Sequence, residues 1–344
     1  MRRDASSFML LLLSAMLLAL VAISLTAGSV TIPLRDLWSI LQGTPSSDPV
    51  FQTIVWEVRL PRMLVALLAG AALSAAGLAM QTLFRNPLAG PYVLGVDAGA
   101  SLGVALVTLS VGAGKESFLA TVGLWSGMGR LLAATIGAAG ALGVVMLVAA
   151  RVGSDLTILI VGLLMSYFVS GLIGFLIYQA EPESSQRYLL WTFGSFDNIP
   201  WPSLFLLAGA VLVGISLIFL LVKGMDALLL GEESAESLGI AVRSTRWGLV
   251  VGSSLLAAAV TATCGPIGFI GVAVPHLSRW VMRSSIHRIL MPATILLGAM
   301  VALIADLIAR GSAGNTPMPI NVVTSLFGAP LLLVLVLNRR EARW

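Results

Sequence analysis

The chain has few charged residues and almost none of the side chains that bind metals or form disulfides. Of its 344 residues only 10% are charged, one is cysteine and two are histidine. A lone cysteine excludes an internal disulfide and a thiolate metal cluster. With 58% hydrophobic residues and a mean hydropathy of +0.99, the polar surface is too small for a soluble protein of this length. The composition indicates a polytopic membrane protein.

Catalytic motifs are also missing. The chain has no HExxH motif, no serine–histidine–aspartate order and no paired acids in a plausible setting, so nothing indicates an enzyme. Residues 112–116 contain the Gly-Lys pair of a phosphate-binding loop, but Leu109 and Glu116 replace the glycine and the hydroxyl residue that such a loop requires. His276 is interpreted as a polar helix-end residue, not a metal ligand. We predict no catalytic site, metal or cofactor in this chain.

Apolar runs long enough to cross a membrane dominate the sequence. A bilayer core of about 30 Å requires about 20 apolar residues per helix, and the runs lack the alternation of β-barrel strands. Arg2 and Arg3 before an apolar stretch could mark a signal peptide, but that stretch is long enough to span. The predicted fold is therefore an all-α polytopic membrane protein with one membrane domain over residues 1–344. Its ten predicted spans lie at residues 8–28, 63–84, 92–111, 129–150, 156–178, 203–222, 247–264, 267–282, 289–309 and 319–337.

Basic residues indicate the orientation of these spans. An even number of spans places both termini on one side, and thirteen of the twenty Lys and Arg residues fall on that side. Because cytoplasmic loops carry an excess of Lys and Arg, this side is predicted to be cytoplasmic. The thirteen are Arg2, Arg3, Arg85, Arg151, Lys223, Arg243, Arg246, Arg279, Arg283, Arg288, Arg339, Arg340 and Arg343.

One cytoplasmic segment, residues 224–246, is too polar to enter a bilayer but has a helical pattern. Apolar residues recur in it at helical spacing, three glutamates lie beside them, and Gly239 can end the helix. We predict that this segment binds a soluble cytoplasmic partner. The apolar residues are Met225, Leu228, Ala235 and Leu238, and the glutamates are Glu232, Glu233 and Glu236.

Glycine and proline interrupt the helical pattern at two places. Asn86, Pro87, Gly90 and Pro91 predict a tight turn at the cytoplasmic surface. Residues 265–275 contain three glycines and two prolines before a short span, and such interruptions at membrane depth need protein or a cavity to cover the freed backbone groups. The second interruption is a candidate wall of a transport pathway.

A few charges lie near the ends of the predicted spans. Arg59 and Arg62 are predicted to lie on the external side, although basic residues favour the cytoplasmic side. Snorkelling of their side chains to the lipid headgroups would explain this position. Asp306 is predicted to pair with Arg310 one turn later. An ion-driven secondary transporter would need carboxylates at mid-membrane, whereas Asp97, Asp155 and Asp306 are expected near span ends. A purely structural scaffold is a third possibility.

Several blocks of sequence resemble the permease subunits of type II ABC importers, the FecCD-like group that takes up ferric siderophores, haem and cobalamin. The blocks are residues 59–103, 227–240 and 265–280, together with IADLIARG and TSLFGAPLLLVLV near the end. The resemblance covers essentially the whole chain. It implies two five-helix halves related as an inverted repeat.

The resemblance also implies roles for particular residues. Two short coupling helices at about 224–246 would dock on an ATPase through Leu229, Gly231, Glu232, Glu233, Ala235, Leu238 and Gly239. Arg59, Arg62 and Arg310 would bind glutamates of an external substrate-binding protein. The fifth span would line the passage through Ser166, Tyr167, Ser170 and Gly171. The turn before the last span departs from related chains at Asn315, Thr316 and Met318, which leaves partner contacts there open.

The implied assembly is a homodimer of this chain in the cytoplasmic (inner) membrane. Two ATP-binding cassette ATPases would use ATP and Mg²⁺, and an extracytoplasmic binding protein would deliver the cargo. No nucleic acid is implied. A ferric siderophore is the expected cargo, with haem or cobalamin as alternatives that use the same mechanism.

Overall fold

The computed structural model describes the chain except residues 1, 29, 45–47, 110–126, 152–154, 312–317 and 338–344. Every regular element in the described residues is a helix, as predicted. The phosphate-loop-like residues 112–116, the departures Asn315 and Thr316, and Arg339, Arg340 and Arg343 lie outside the described part.

Ten of the helices coincide with the ten predicted spans. They are α1 (Arg2–Thr26), α4 (Leu60–Leu83), α5 (Val96–Leu109), α6 (Gly127–Arg151), α7 (Asp155–Gln179), α9 (Trp201–Leu220), α12 (Val242–Cys264), α13 (Ile270–Met282), α14 (His287–Gly311) and α15 (Ile320–Leu337). The shorter helices are α2 (Leu34–Leu41), α3 (Pro49–Thr53), α8 (Pro182–Thr192), α10 (Val222–Leu229) and α11 (Glu232–Ser237), and a π-helical turn (Ile54–Arg59) leads into α4. Seven of the ten, α1, α4, α6, α7, α9, α12 and α14, are long and apolar enough to cross a membrane.

The two ends of the helix bundle are distinguished by what they carry. We call the end with α10 and α11 the near end, and the opposite end, where α4 begins and α14 finishes, the far end. Successive spans run in opposite directions, so α4 runs from the far end to the near end and α14 runs from the near end to the far end.

The connection between α4 and α5 begins with the predicted turn, in which the amide of Ala89 donates to the carbonyl of Asn86 at 3.1 Å, and then re-enters the bundle. Pro91 packs against Gly271, which also touches the carbonyl of Leu73 in α4. Leu73 lies ten residues before the end of α4, or about 15 Å along the helix axis. Gly95 then packs against Gly162 inside α7. The helix α5 therefore begins at membrane depth, where glycine and proline allow the chain to lie between close helices.

A second irregular connection enters from the far end between α12 and α13, and side chains satisfy its backbone groups. The amide of Ile267 donates to the hydroxyl of Tyr92 at 3.3 Å, which joins the two re-entrant connections. Asn321 of α15 donates to the carbonyls of Thr192 (3.1 Å) and Pro266 (2.6 Å) and accepts from the amide of Gly268 at 2.9 Å. Non-helical backbone at membrane depth requires such partners. A role of this region as a pathway wall stays a prediction.

The contacts between spans repeat in the two halves of the chain. The first five spans are α1, α4, α5, α6 and α7, and the second five are α9, α12, α13, α14 and α15. The contact of α4 with α14 corresponds to the contact of α12 with α6. The contact of α5 with α6 corresponds to that of α13 with α14, and the contact of α4 with α13 corresponds to that of α12 with α5. Because each half has an odd number of spans, the second half is inverted relative to the first. The structure thus has the two five-helix halves that the resemblance implies.

Close helix packing at the centre depends on glycine. A Cβ at Gly77 of α4 would overlap the backbone of Gly271 in α13, and one at Gly70 would overlap the backbone of Gly298 in α14. Ser74 lies between these glycines and donates to the carbonyls of Gly70 (2.7 Å) and Thr294 (3.0 Å). By contrast, a Cβ at Gly140 of α6 would meet no atom within 4 Å.

Gly77→Val is expected to lower the thermal stability of the protein strongly, because two backbones would have to separate. Overpacking of this kind costs about 1–3 kcal/mol or more. The only cysteine, Cys264, is 3% exposed, so the temperature at which a maleimide labels it reports unfolding. Gly140→Val is the matched control and should label at nearly the temperature of the parent. Equal labelling temperatures for the two variants would contradict the packing argument.

Candidate functional site

Segment 224–246 forms two short helices, not one. Gly231, with φ of +109°, separates α10 from α11, and this backbone conformation favours glycine. Met225, Leu228 and Ala235 are buried, but Leu238 is 64% exposed, so the prediction of one apolar stripe through all four is wrong at Leu238. The glycine changes the helical phase between Leu228 and Ala235, so the segment forms two short helices. This agrees with what the resemblance implies.

The outer surface of this segment combines apolar and acidic residues. Leu230 and Leu238 are 67% and 64% exposed, and Glu233 and Glu236 are exposed beside them. Leu229, Gly231 and Glu232 are half-buried, Ala235 is buried, and Gly239 is exposed with φ of +78°. Sequence analysis missed Leu230, because it follows α10 and lies outside the helical repeat. An exposed pair of leucines with carboxylates around it has the character of a protein-binding surface.

Side-chain contacts hold α10 and α11 against the bundle. The Glu232 carboxylate accepts a hydrogen bond from Arg246 of α12 at 3.1 Å. Asp226 of α10 accepts from the backbone amide of His287 at 2.9 Å and faces its Nδ1 at 2.7 Å. Burial favours the neutral form of Asp226, but the hydrogen bonds and charge of His287 outweigh it and hold its pKa below the ordinary value. No local pattern marks this pair, because 61 residues separate its members.

A second group of charges lies at the far end. We call Arg62, Asp197, Asp306 and Arg310 the far-end ionic cluster. Asp306 is fully buried and accepts from Arg62 at 2.6 Å and from Arg310 at 2.5 Å, which confirms the predicted pairing of Asp306 with Arg310. Arg62 also binds Asp197, which sequence analysis missed because it lies in a distant connection. Burial raises the pKa of Asp197 above its ordinary value, although Arg62 opposes this effect.

The three arginines predicted to dock a partner bind the protein itself in this conformation. Arg59 is 4% exposed and donates to the carbonyls of Leu25 (2.7 Å), Thr26 (3.1 Å) and Val30. Arg62 is also buried, so the prediction that Arg59 and Arg62 snorkel to the headgroups is wrong. Arg310 contacts the hydroxyl of Ser24 at 2.8 Å in addition to Asp306. Docking of a partner by these residues stays a prediction.

The four predicted pathway residues lie on two faces of α7. Ser166 and Ser170 line a cavity of about 340 Å³ together with Asp97, Ser101 and Tyr188. Tyr167 and Gly171 lie on the adjacent face of α7, about 100° around the helix axis, and this face is exposed, as is Ser170. The helical repeat of 100° per residue produces this division, and no motif in the sequence indicated which face is inward. Half of the residues that line the cavity are polar, and a role of these residues in the transport pathway stays a prediction.

Asp97 lies in the first turn of α5, near a helix end as expected, but α5 begins inside the bundle and not at its surface. It follows Gly95, which packs against Gly162, and Gly162 is seven residues inside α7. Asp306 does lie near a helix end, and the side chain of Asp155 lies outside the described residues. The position of Asp97 removes one sequence argument against an ion-driven transporter, so the decision between the classes rests on other observations.

Comparison with known proteins supplies that decision. The buried glycine-packed bundle, its inverted halves and the projecting helix pair are those of the membrane-spanning permease of an ABC importer. The chain matches the FecCD transport family over residues 16–338 and belongs to that family.

Individual relatives cover nearly the whole chain. It is 34% identical over 339 residues to the hemin transport system permease protein HmuU of Yersinia pestis, with 97% of each chain covered. It is 32% identical to the molybdate import system permease protein MolB of Haemophilus influenzae (98% and 97% covered) and 34% identical to the vitamin B12 import system permease protein BtuC of Klebsiella pneumoniae (95% and 93% covered). A solved metal-chelate type ABC transporter in an inward-facing conformation has a TM-score of 0.83 and 32% identity, with 96% and 98% covered.

Asp306→Asn is expected to destabilise the protein by about 3–5 kcal/mol, because it leaves the buried Arg62 and the partly buried Arg310 without their shared carboxylate. The labelling temperature of Cys264 measures the effect. Asp197→Asn is the matched control, since the Asp197 side chain is 28% exposed and Arg62 keeps Asp306. If both variants unfold at the temperature of the parent, the cluster does not stabilise the far end.

Proposed function

We propose that this permease imports a ferric siderophore across the cytoplasmic (inner) membrane, driven by ATP that a separate ATPase subunit hydrolyses. The observation that carries the proposal is the apolar and acidic surface of α10 and α11, which projects from a chain otherwise built to lie in a bilayer. A chelated metal cargo agrees with relatives named for hemin and vitamin B12 and with the metal-chelate type transporter. Haem or cobalamin import is the alternative.

The assembly we propose contains two copies of this chain, two ATPases and one external binding protein. The face of α7 that carries Tyr167 and Gly171 also presents Phe168 and Phe175, each more than half exposed, and a second copy would cover this apolar surface. The passage would then run between the two α7 helices, with Ser166 and Ser170 in a polar recess beside it. Both termini and the near end would face the cytoplasm, in agreement with the positive-inside rule.

Each ATPase would bind the surface formed by Leu229, Gly231, Glu232, Glu233, Leu238 and Gly239, together with the exposed Leu230. Ala235 is fully buried, so it would support this surface from beneath and not touch the ATPase. ATP binding would draw the ATPases together and move α10 and α11 as rigid bodies. Packed helices switch between discrete arrangements more readily than they stretch, so the passage would change the side to which it opens.

The far-end cluster would be the docking point of the binding protein, together with Arg59. Asp197 is the most exposed carboxylate of this cluster, and it binds Arg62 from a loop. A glutamate of the binding protein could replace Asp197 on Arg62, while Asp306 remains bound underneath. This exchange would reconcile the internal pairing of Arg62 with a role in docking.

Transport by vesicles distinguishes the classes of function. In proteoliposomes with the permease, the ATPase and the binding protein, uptake of a ⁵⁵Fe-labelled siderophore should require ATP and should resist an uncoupler. Labelled haemin and cyanocobalamin, each with its own binding protein, test the alternative cargoes. Uptake that continues without nucleotide but collapses with an uncoupler would indicate a secondary transporter, and no transport under any condition would indicate a scaffold.

A coupling variant provides the internal control for that experiment. Leu230→Asp with Leu238→Asp should abolish co-purification of the ATPase and ATP-driven uptake, while Cys264 labelling remains that of the parent. These positions are preferable to charge reversal at Glu232, because Glu232 binds Arg246 and its reversal would also disturb the fold of the segment. A complex recovered intact with both aspartates would remove the coupling assignment.

Asp197→Asn should bind the loaded binding protein about two- to tenfold more tightly, because it weakens the internal competitor for Arg62. Affinity measured at low and high ionic strength checks this, since salt screens exposed charge pairs. Arg35→Gln is a matched control, as Arg35 is an exposed arginine on α2 outside the cluster. Unchanged affinity in Asp197→Asn, or an equal effect of Arg35→Gln, would count against docking at Arg62.

A further inference from the structure

We propose that α4 and α14 form a rigid two-helix strut that connects the coupling helix α10 to the far-end ionic cluster, with Asp226, His287 and Thr82 as the residues that position it. This inference rests on the proposed function, because it assigns a path for the motion that the ATPase supplies. The ATPase-binding surface and the binding-protein surface would then move as parts of one rigid body.

The near end of the strut is fastened by three side chains. His287, the first residue of α14, is 1% exposed, and its Nε2 lies 2.7 Å from the hydroxyl of Thr82 in α4. Its Nδ1 and its backbone amide both contact Oδ1 of Asp226, at 2.7 and 2.9 Å. One carboxylate therefore holds both the ring and the first turn of α14. A displacement of α10 must either carry α14 with it or break both contacts.

The body of the strut leaves no room for the two helices to slide. Gly70 and Gly298 bring the backbones of α4 and α14 into direct contact, and Ser74 donates across the interface to the carbonyl of Thr294 at 3.0 Å. No flexible side chain separates the helices at this point. Close-packed interiors transmit strain because they have low compressibility.

The far end of the strut is fastened by charge. Arg62 of α4 donates to Asp306 of α14 at 2.6 Å, and Arg310 binds the other carboxylate oxygen. On α4, Thr82 and Arg62 are 20 residues apart, which corresponds to about 30 Å of helix, or the thickness of a bilayer core. The same two helices are thus joined at both membrane surfaces, once to α10 and once to the predicted docking residues.

A rigid connection has a thermodynamic consequence. If one body carries both surfaces and the binding protein contacts both permease copies, a nucleotide-driven shift of that body changes the affinity for the binding protein, and linkage then requires an equal change in nucleotide affinity. A role limited to holding α10 in place would instead reduce binding of the ATPase. Removal of the near-end contacts should therefore weaken the nucleotide effect on binding-protein affinity if the strut transmits motion. It should weaken ATPase binding if these residues only hold α10 in place.

The test uses the assembled permease–ATPase complex in nanodiscs. The affinity for the loaded binding protein is measured with and without a non-hydrolysable ATP analogue, for the parent and for Thr82→Val, Asp226→Ala and Asp226→Asn. Thr82→Val keeps the shape of a fully buried side chain that is remote from the ATPase surface. We expect the ATPase to co-purify with both Thr82→Val and Asp226→Ala. In these two variants the nucleotide-dependent change in affinity for the binding protein should fall at least about fivefold. Asp226→Asn should retain most of this change, because its amide oxygen can still accept a hydrogen bond.

Two results would overturn the inference while leaving the proposed function intact. One is an unchanged nucleotide effect in both Thr82→Val and Asp226→Ala, in a complex whose parent imports cargo with ATP. The other is loss of ATPase binding in both variants, which would limit these residues to shaping the docking surface. A parent complex that shows no ATP-driven uptake at all would instead remove the proposed function on which the inference rests.

Discussion

The rest of this structure depends on how backbone groups are satisfied where helices are interrupted inside the membrane. Lipid offers no hydrogen bonds, so each freed amide or carbonyl needs a partner from the protein. Asn321 supplies three such contacts to the connections around Thr192, Pro266 and Gly268, and Tyr92 supplies one to Ile267. The glycines at the same depth let neighbouring helices cover these connections. Interrupted helices are therefore a stable part of the core here.

The same rule governs the few charges of the chain. A buried ion is tolerated when a counter-charge and hydrogen bonds surround it, and Asp306 has both from Arg62 and Arg310. Arg62, one of the two external arginines, is explained by this internal pairing, and Arg59 by its hydrogen bonds to the carbonyls of Leu25, Thr26 and Val30. At the near end the carboxylate of Asp226 contacts the backbone amide and Nδ1 of His287. Both groups join elements that are far apart in the chain, so they fix the relative positions of helices.

Composition and run length were sufficient to predict the ten helices, because burying about 20 apolar residues per span leaves few other solutions. The pairing of Asp306 with Arg310 followed from the helical repeat. The re-entrant path of residues 85–95 did not follow, because glycine and proline form turns equally well at a surface and at membrane depth. Asp197 and Asp226 were missed because their partners are 135 and 61 residues away. The inward face of α7 was undetermined, because apolar residues surround the helix and its polar residues Ser166, Tyr167 and Ser170 do not lie on a single face.

The sharing of one carboxylate by two arginines has a consequence for how this family can diverge. A neutral residue at position 306 would leave Arg310 without a carboxylate and Arg62 with Asp197 alone, whereas loss of either arginine leaves Asp306 paired with the other. Viable descendants should therefore lose Arg310 before they lose Asp306, and not in the reverse order. Inheritance at the three sites would be correlated, even though position 62 belongs to the first half of the inverted repeat and positions 306 and 310 belong to the second.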